Sequence, residues 1–416
     1  MKVYKFGGAS VRDAEGVRNV TSIVKGAETP LVVVISAMGK MTNAFEELVS
    51  AYFREEKEVM DECLKFVHDY HTQIIHDLFG NANASKRYNE QMHHLETRLK
   101  LSPSMHFDFE YDQIVSFGEL LSTSIVADFW EQDGVKSSWT DVRTILKTDD
   151  LYRDSNVDWS LTNQLMMQAF NFADAEVYLT QGFLGGTISN LTTTLGREGS
   201  DYTAAIIGHV MNASDVTIWK DVPGVLNADP RWYQGAVKIE ELSYMEAIEL
   251  SYYGAQVIHP KTLKPLQNKN IPLKVRSFID KEEKGTVILE RTGISEQVPV
   301  FILKTNQIFV TISPLDFSFI MEDKLIEIIS IFKKFRVKMN LMQNSALNFS
   351  ASFDRIREMD VLLSELKNNF SVRYNENVQL ITIRQYTNAA IEEMTSGKEI
   401  LDSQITRKVA RFVIRG

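Results

Sequence analysis

The sequence TTTLGREGSDYT, residues 192–203, joins a run of three threonines to two glycines, an arginine, a serine and an aspartate, and then enters the apolar run Ala204–Ile207. Hydroxyl groups and glycines before a helix favour an anion, because unpaired backbone N–H groups and the helix dipole point there. Arg197 adds a planar fork that suits a carboxylate or a phosphate. A simpler interpretation makes Ser200 or Asp201 the cap of the helix. The stretch thus predicts an anion site or a capping loop.

The composition places the chain among ordinary globular proteins. It is 44% hydrophobic and 24% charged, as is typical of a globular protein. Its length of 416 residues predicts two or three domains. The formal net charge of −10 argues against a nucleic-acid partner. Cys63 is the single cysteine, as is typical of a reducing compartment. Because residues 1–6 already resemble a strand and the apolar run Leu31–Ala37 is too short to span a bilayer, we expect a cytoplasmic protein without a signal peptide or a membrane partner.

Short apolar runs alternate with helical patterns over the first 290 residues. Runs of this kind, separated by helices, predict a mainly parallel sheet with helices on both faces. The five runs that read as buried strands are Val3–Phe6, Leu31–Ile35, Val177–Thr180, Val216–Trp219 and Leu273–Val275. The interval of about 45–110 differs because it is charged and has a helical pattern with few strand signals. Its histidines His68, His71 and His76 predict a solvated helix face more readily than a metal site.

The pattern changes near residues 294–300. From Ile308 onward a strand, helix, strand, strand, helix, strand order predicts a ferredoxin-like βαββαβ unit, with its last strand at Ser371–Tyr374. Val378–Arg384 begins another strand, but the remaining chain is too short for a complete second unit. We therefore divide the chain into 1–292, 301–376 and a truncated 377–416.

The first strand runs into the sequence KFGGAS, residues 5–10. Paired glycines after a buried strand let the backbone approach a ligand closely and form an anion nest. Lys5 lies one residue inside the strand end, where its ammonium can reach phosphate oxygens. The dinucleotide and Walker A patterns do not match here, and a tight turn explains KFGG equally well.

Three further segments carry polar residues close to strand or helix ends. ISAMGKMTN, residues 35–43, supplies Ser36 and Thr42, and SFGELLST, residues 116–123, supplies Glu119 near a helix start. Glu119 either complements the helix dipole or holds a substrate ammonium. IWKDVPGVLNADPR, residues 218–231, places a carboxylate and a basic group beyond a strand end, where ligands of open α/β sheets bind. A Pro-Gly turn is the alternative for that segment.

Taken together, these motifs resemble those of aspartate kinase, a member of the amino-acid kinase family. KFGGAS, SAMGKMTN, SFGELLST, TTTLGREGSDYTAA, KDVPGVLNADPR and YGAQVIHP follow one another in the same order, and the C-terminal pattern resembles ACT regulatory domains. The resemblance implies an amino-acid kinase fold followed by a ferredoxin-like ACT region. It also implies ATP-dependent phosphorylation of the aspartate side-chain carboxylate to 4-phospho-L-aspartate, the first step toward lysine, threonine, methionine and diaminopimelate.

The resemblance also implies roles for individual residues. Lys5 and Asp201 are the expected catalytic pair, in which the carboxylate orients the lysine. The expected aspartate-binding residues are Ser36, Thr42, Glu119, Arg197 and Ser200. The expected ATP-binding residues are Lys5, Gly7, Gly8, Ala9, Lys220, Asp221, Leu226, Arg231 and Gln256. Mg²⁺ is expected with ATP, held mainly by phosphates and water rather than by protein ligands.

This chain departs from the family pattern at several positions. Ala9 stands where a threonine is usual, Leu226 where an aromatic residue is common, and Gln256 where a lysine is common. We hypothesise that Lys220 supplies the charge that Gln256 lacks. Glu198 either pairs with a cation or points to solvent.

The regulatory end departs from the family as well. Asn340 stands where lysine-sensitive relatives often have an aspartate. The regulatory region could therefore bind lysine or threonine as an effector, or it could bind no effector. Because ACT units pair between chains, a homodimer is expected.

Two alternatives to an active aspartate kinase stay open. One is another amino-acid kinase that acts on glutamate, carbamate or a nucleoside monophosphate. The other is a catalytically weak or inactive regulatory homologue that binds an amino acid or a nucleotide, which the Gln256 departure and the short tail motivate.

Overall fold

The computed structural model describes residues 1–255, 258–290, 298–316 and 318–415. The described chain divides into two compact units. The first comprises the described parts of 1–225, 238–248 and 257–293, and the second comprises those of 226–237, 249–256 and 294–416. The boundaries 1–292, 301–376 and 377–416 stay a prediction about domains.

The first unit is built around an eight-stranded sheet. Its strand order is β3-β4-β2-β1-β7-β9-β10-β8, and every neighbouring pair is parallel except β9 and β10. The strands of the sheet are β1 Lys2–Phe6, β2 Leu31–Ile35, β3 Ser137–Thr140, β4 Val177–Gln181, β7 Asp215–Lys220, β8 Glu241–Ser243, β9 Leu273–Ser277 and β10 Thr286–Leu289, while β5 Leu184–Gly186 and β6 Thr192–Thr194 form a separate hairpin. The mainly parallel sheet of the prediction is confirmed.

Helices connect these strands. They are α1 Ala14–Lys25, α2 Met41–Phe53, α3 Lys57–Phe79, α4 Lys86–Leu99, α5 Phe107–Val115, α6 Phe117–Gln132, α7 Val142–Ile145, α8 Trp159–Ala169, α9 Gly199–Val210, α10 Tyr244–Tyr253 and α11 Pro260–Gln267. The sheet is covered on both faces at its centre, because every residue of β2 is buried. The last residues of α10 belong to the second unit.

The interval 45–110 forms most of α2, all of α3 and α4, and the start of α5. The prediction of a solvated histidine face is wrong at His71, which is fully buried in α3 and whose Nδ1 lies 2.7 Å from the carbonyl oxygen of Val67. Its neighbours His68 and His76 have half-exposed side chains. His71 therefore packs in the interior, and burial lowers its pKa to about 4.

The second unit contains a six-stranded antiparallel sheet with the order β12-β13-β11-β14-β16-β15. Its elements are β11 Val300–Pro314, α12 Glu322–Lys334, β12 Met339–Asn344, β13 Phe349–Asp354, α13 Met359–Asn369, β14 Phe370–Arg384, α14 Asn388–Thr395, β15 Glu399–Ile405 and β16 Val409–Arg415. The order from β11 to β14 is the predicted βαββαβ order, and Phe332, Phe353 and Phe370 lie in its core.

The prediction of two strands at Ser371–Tyr374 and Val378–Arg384 is wrong, since β14 continues from Phe370 to Arg384. Its second half pairs with β16 on one side and with Val300–Lys304 of β11 on the other. The first residues of β11 thus lie beside the second half of β14, in the same sheet as the C-terminal strands β15 and β16. This long-range pairing adds a strand to the apparently truncated repeat.

Candidate active site

The carboxyl ends of five parallel strands meet at one edge of the large sheet. The register pairs Phe6 with Ile35 and Trp219, and Ile35 with Gln181, so the loops that follow β1, β2, β4 and β7 begin side by side. Lys220 pairs with Ser277 at the end of β9. Together with α9 and residues of α2, α5 and α6, these loops line a cavity of about 640 Å³. Ligands of open α/β sheets bind at this edge.

A buried ion pair lies at the end of β1. Lys5 Nζ is 2.7 Å from Asp201 Oδ1, and the two side chains are only 11% and 6% exposed. Lys220 Nζ, from the end of β7, lies 3.9 Å from the other carboxylate oxygen of Asp201. Burial alone would raise the pKa of Asp201, but the two ammonium groups outweigh burial and hold it below its ordinary value. Asp201 is therefore a fixed anion between two lysines.

The loop after β1 passes very close to the loop after β2. The N–H of Gly39 donates to the carbonyl oxygen of Gly8 at 3.0 Å. A Cβ on Gly8 would lie 2.5 Å and 2.7 Å from the carbonyl oxygens of Gly39 and Ala37. Only glycine fits this approach. The KFGG segment is thus part of the cavity wall.

The N-terminal end of α9 carries Ser200 and Asp201 in its first turn. The residue that precedes the helix is Glu198, which has φ 54° and makes no side-chain cap hydrogen bond. The capping interpretation of Ser200 or Asp201 is therefore wrong, since both lie inside the helix. The Glu198 carboxylate accepts a hydrogen bond from the backbone N–H of His259 at 2.8 Å, so it holds the start of α11.

Glu119 is a buried carboxylate on the third residue of α6. It is 3% exposed, and its Oε1 accepts the N–H of Ala37 at 3.3 Å. Oε2 is buried and has no hydrogen-bond partner among the described residues. Burial raises the pKa of Glu119 to about 8, although the N–H of Ala37 and the charge of Lys5 oppose the change. Such a carboxylate suits a cationic ligand group.

Other residues line the same cavity. Those predicted from the sequence are Gly7, Gly8, Ala9, Ser36, Thr42, Arg197, Ser200, Lys220 and Asp221. Those that sequence reasoning missed include Glu46, Tyr111, Arg153 and Phe183. Glu46 follows Thr42 by one helical turn on α2, and this spacing could have revealed it. Phe183 follows the end of a predicted strand, and this position could also have indicated that it lines the cavity. No sequence motif marks Tyr111 or Arg153.

Three predicted ATP-binding residues have no described place in this cavity. Leu226 and Arg231 belong to the second unit, where the Arg231 guanidinium is paired with Asp229 at 2.5 Å. Gln256 lies outside the described residues. Their roles stay predictions.

Within residues 1–255, 258–290, 298–316 and 318–415, no three or more His, Cys, Asp and Glu side chains form a group that could hold a metal ion. In the part of the chain that the structure describes, no helix has the length and apolar character needed to cross a bilayer.

The geometry agrees with what comparisons with known proteins show. A model of the amino acid kinase family matches residues 1–277. Lysine-sensitive aspartokinase 3 of Escherichia coli (strain K12) is 31% identical over 359 residues, covering 85% of this chain and 78% of that protein. The chain belongs to the amino acid kinase family. Chloroplastic aspartokinase 2 of Arabidopsis thaliana is 29% identical over 408 residues, covering 92% of this kinase and 73% of the plant protein.

The fold of this amino acid kinase also resembles a solved aspartokinase. The structure of E. coli aspartokinase III in complex with lysine and aspartate, in its T-state, matches with a TM-score of 0.83 at 26% identity. The match covers 100% of this chain and 96% of that one. Sequence and structure therefore agree on an amino-acid kinase fold followed by an ACT-like antiparallel region, and the resemblance to aspartate kinases is confirmed.

Proposed function

We propose that this kinase transfers the γ-phosphoryl group of ATP to the side-chain carboxylate of L-aspartate, giving 4-phospho-L-aspartate. The observation that carries the proposal is the cavity that contains the Lys5–Asp201 ion pair, the buried Glu119 and the guanidinium of Arg197. One cavity thus combines phosphate-binding groups with groups that recognise an amino acid. The aspartokinase relatives support aspartate as the acceptor.

Lys5 and the backbone of Gly7 and Gly8 form the donor end of the cavity. An ammonium beside the transferred oxygens stabilises the charge that develops there, and Asp201 keeps it in position without removing its charge. Lys220 adds a second cation on the same carboxylate. Asp221 is exposed and lines the cavity, so it fits the one or two carboxylates that Mg²⁺ uses beside nucleotide phosphates. When bound, Mg²⁺ would neutralise phosphate charge.

Glu119, Arg197 and hydroxyl groups form the acceptor end. The unpartnered Oε2 of Glu119 suits the substrate ammonium, and the Arg197 fork suits a carboxylate. Ser36, Thr42 and Ser200 supply hydrogen bonds. Because a carboxylate nucleophile carries no proton to remove, the site needs no general base, and positioning of the two reactants accounts for most of the rate enhancement.

We also propose a regulatory role for the second unit. Asn340 Oδ1 accepts from Lys304 Nζ at 2.8 Å, and its amide donates to Gln307 at 2.8 Å. Because these groups already satisfy its amide and it carries no negative charge, Asn340 is poorly suited to the side-chain ammonium of lysine, and we favour threonine or no effector over lysine. Titrating activity with lysine, threonine and methionine tests this. We propose further that the protein is a cytoplasmic homodimer. Its product would be the first intermediate in the synthesis of lysine, threonine, methionine and diaminopimelate.

The test is an ADP-release assay with a panel of aspartate, glutamate, carbamate and UMP. The proposal predicts ADP release with aspartate alone. Release with another acceptor would indicate a different amino-acid kinase, and no release with any acceptor would favour the inactive regulatory homologue. Asp201→Asn serves as a control for contaminating kinases, because it removes the anion that holds Lys5.

A further inference from the structure

Arg153 lines the cavity from a backbone conformation that arginine rarely adopts. Its φ is 70°, in the left-handed region. A side chain in this region costs about 1 kcal/mol or more relative to glycine. Arginine has no intrinsic preference for this backbone conformation, so contacts with surrounding residues must stabilise it. Strained residues of this kind cluster at functional sites.

A buried carboxylate holds the backbone of Arg153. Asp112 Oδ2 accepts the N–H of Arg153 at 3.0 Å and the N–H of Thr194 at 2.9 Å. Its Oδ1 accepts the hydroxyl of Thr194 at 2.7 Å, and Asp112 is fully buried. Three hydrogen bonds to one carboxylate fix the loop of Arg153 against β6. The position of this arginine is therefore built into the fold.

The guanidinium of Arg153 lies against the rings of Tyr111 and Phe107 and retains hydrogen-bonding capacity at its edge. It lies 4.4 Å above the Tyr111 ring, and the Tyr111 hydroxyl donates to Glu46 at 2.7 Å. One nitrogen, Nη1, is 3.2 Å from Asp108 Oδ1. These side chains are 47% and 62% exposed, and ion pairs this exposed contribute little. Asp108 is therefore easily exchanged for another carboxylate.

The backbone of Arg153 also touches the loop that carries Arg197. Gly196 has φ 75°, and a Cβ on it would lie 3.1 Å from the carbonyl oxygen of Arg153. Arg197 is the next residue, and both arginines line the same cavity. Two guanidinium groups carried by adjacent loops can bind one carboxylate together.

We propose that Arg153 is a second acceptor-binding residue, which exchanges Asp108 for the substrate carboxylate that is not phosphorylated and binds it together with Arg197. The inference rests on the proposed function, because it takes aspartate as the acceptor. It assigns specificity for the α-carboxylate to a pair of arginines. The β-carboxylate then remains at the Lys5 end of the cavity.

The test compares two ligands by isothermal titration calorimetry with the full chain. L-aspartate carries the α-carboxylate, and its α-amide does not. Arg153→Gly removes the guanidinium and suits the left-handed backbone, so the variant is expected to fold. It should weaken aspartate binding about ten- to hundred-fold and α-amide binding less than about threefold, because a charged hydrogen bond is lost only for aspartate.

Asp108→Asn is the matched control. It removes the competing carboxylate and should keep aspartate binding or tighten it. Equal weakening of both ligands by Arg153→Gly, or no weakening of either, would overturn the inference. The proposed function is tested separately by wild-type turnover. If Arg153→Gly weakens binding of aspartate but not of its α-amide, and the wild-type protein does not phosphorylate aspartate, the inference is supported and the proposed function is refuted. If the wild-type protein does not bind aspartate, both are refuted.

Discussion

If Glu119 binds the substrate ammonium, as proposed, its burial should make aspartate binding depend on pH. Its pKa is raised to about 8 from an ordinary 4.5, so this carboxyl is mainly protonated at neutral pH before a cation binds. A substrate ammonium binds the ionised form, and the ammonium of a free amino acid stays protonated in this range. Binding must therefore expel the Glu119 proton whenever the pH is below about 8. Affinity rises with pH up to that value and levels off above it.

The magnitude follows from the ionised fraction. A carboxyl with a pKa of about 8 is roughly one-tenth ionised at pH 7 and roughly nine-tenths ionised at pH 9. The dissociation constant for aspartate should therefore fall about tenfold between these two pH values, which corresponds to about 1.4 kcal/mol. The same linkage predicts the release of about 0.9 proton per aspartate bound at pH 7.

Calorimetry in two buffers with different ionisation enthalpies measures both the dissociation constant and the released proton. Glu119→Gln should bind aspartate more weakly, without the pH dependence and without proton release. Glu46→Gln is the matched control, since Glu46 lines the same cavity but is exposed, and it should keep the wild-type profile. A dissociation constant that is unchanged from pH 6 to 9, or a Glu119→Gln variant that keeps the dependence, would refute the reasoning.

Three further predictions concern the donor end. Lys5→Ala should lower turnover about 10²- to 10³-fold while circular dichroism shows a folded chain, because a charge at the transferring group is lost; a wild-type rate would exclude the catalytic role. Lys220→Ala should raise the Michaelis constant for ATP or lower turnover by about tenfold if its ammonium contacts phosphate, and unchanged constants would reject the compensation hypothesis. Gly8→Ala should lower stability by about 1–3 kcal/mol in urea titration, because its Cβ would overlap two backbone oxygens. Gly7→Ala, whose Cβ would meet only Lys5 Nζ at 3.4 Å, is its control, and equal losses would contradict the steric argument.

Much of the site at the strand ends could be predicted from the sequence because it depends on local order. Lys5 lies within the strand pattern Val3–Phe6, and Ser36 follows the continuous apolar run Leu31–Ile35; such runs predict buried parallel strands. Once the strands are parallel, their carboxyl ends share one edge, and the residues that follow them come together without further information. Glu119 was also predictable, because the motif SFGELLST, residues 116–123, places it near the start of a helix.

The part of the cavity formed by Arg153 and Tyr111 could not be predicted in the same way. Arg153 reaches the cavity through a hydrogen bond from its backbone to Asp112, a residue of α5 41 positions earlier in the chain. Tyr111 lies on the same helix and has no motif around it. The pairing of Val300–Lys304 with β14 is likewise a contact between distant segments. Single-sequence patterns describe local periodicity, so contacts of this kind leave no signal in them.

The most direct test of the proposed function is to trap the product with hydroxylamine and identify it by mass spectrometry. An acyl phosphate on the aspartate side chain reacts with hydroxylamine to give the β-hydroxamate. We expect this compound to form only when wild-type protein, ATP, Mg²⁺ and L-aspartate are all present, and we expect Lys5→Ala to form about 10²- to 10³-fold less of it per unit time. ATP hydrolysis without any β-hydroxamate, or hydroxamate formed from glutamate in preference to aspartate, would contradict the proposed function.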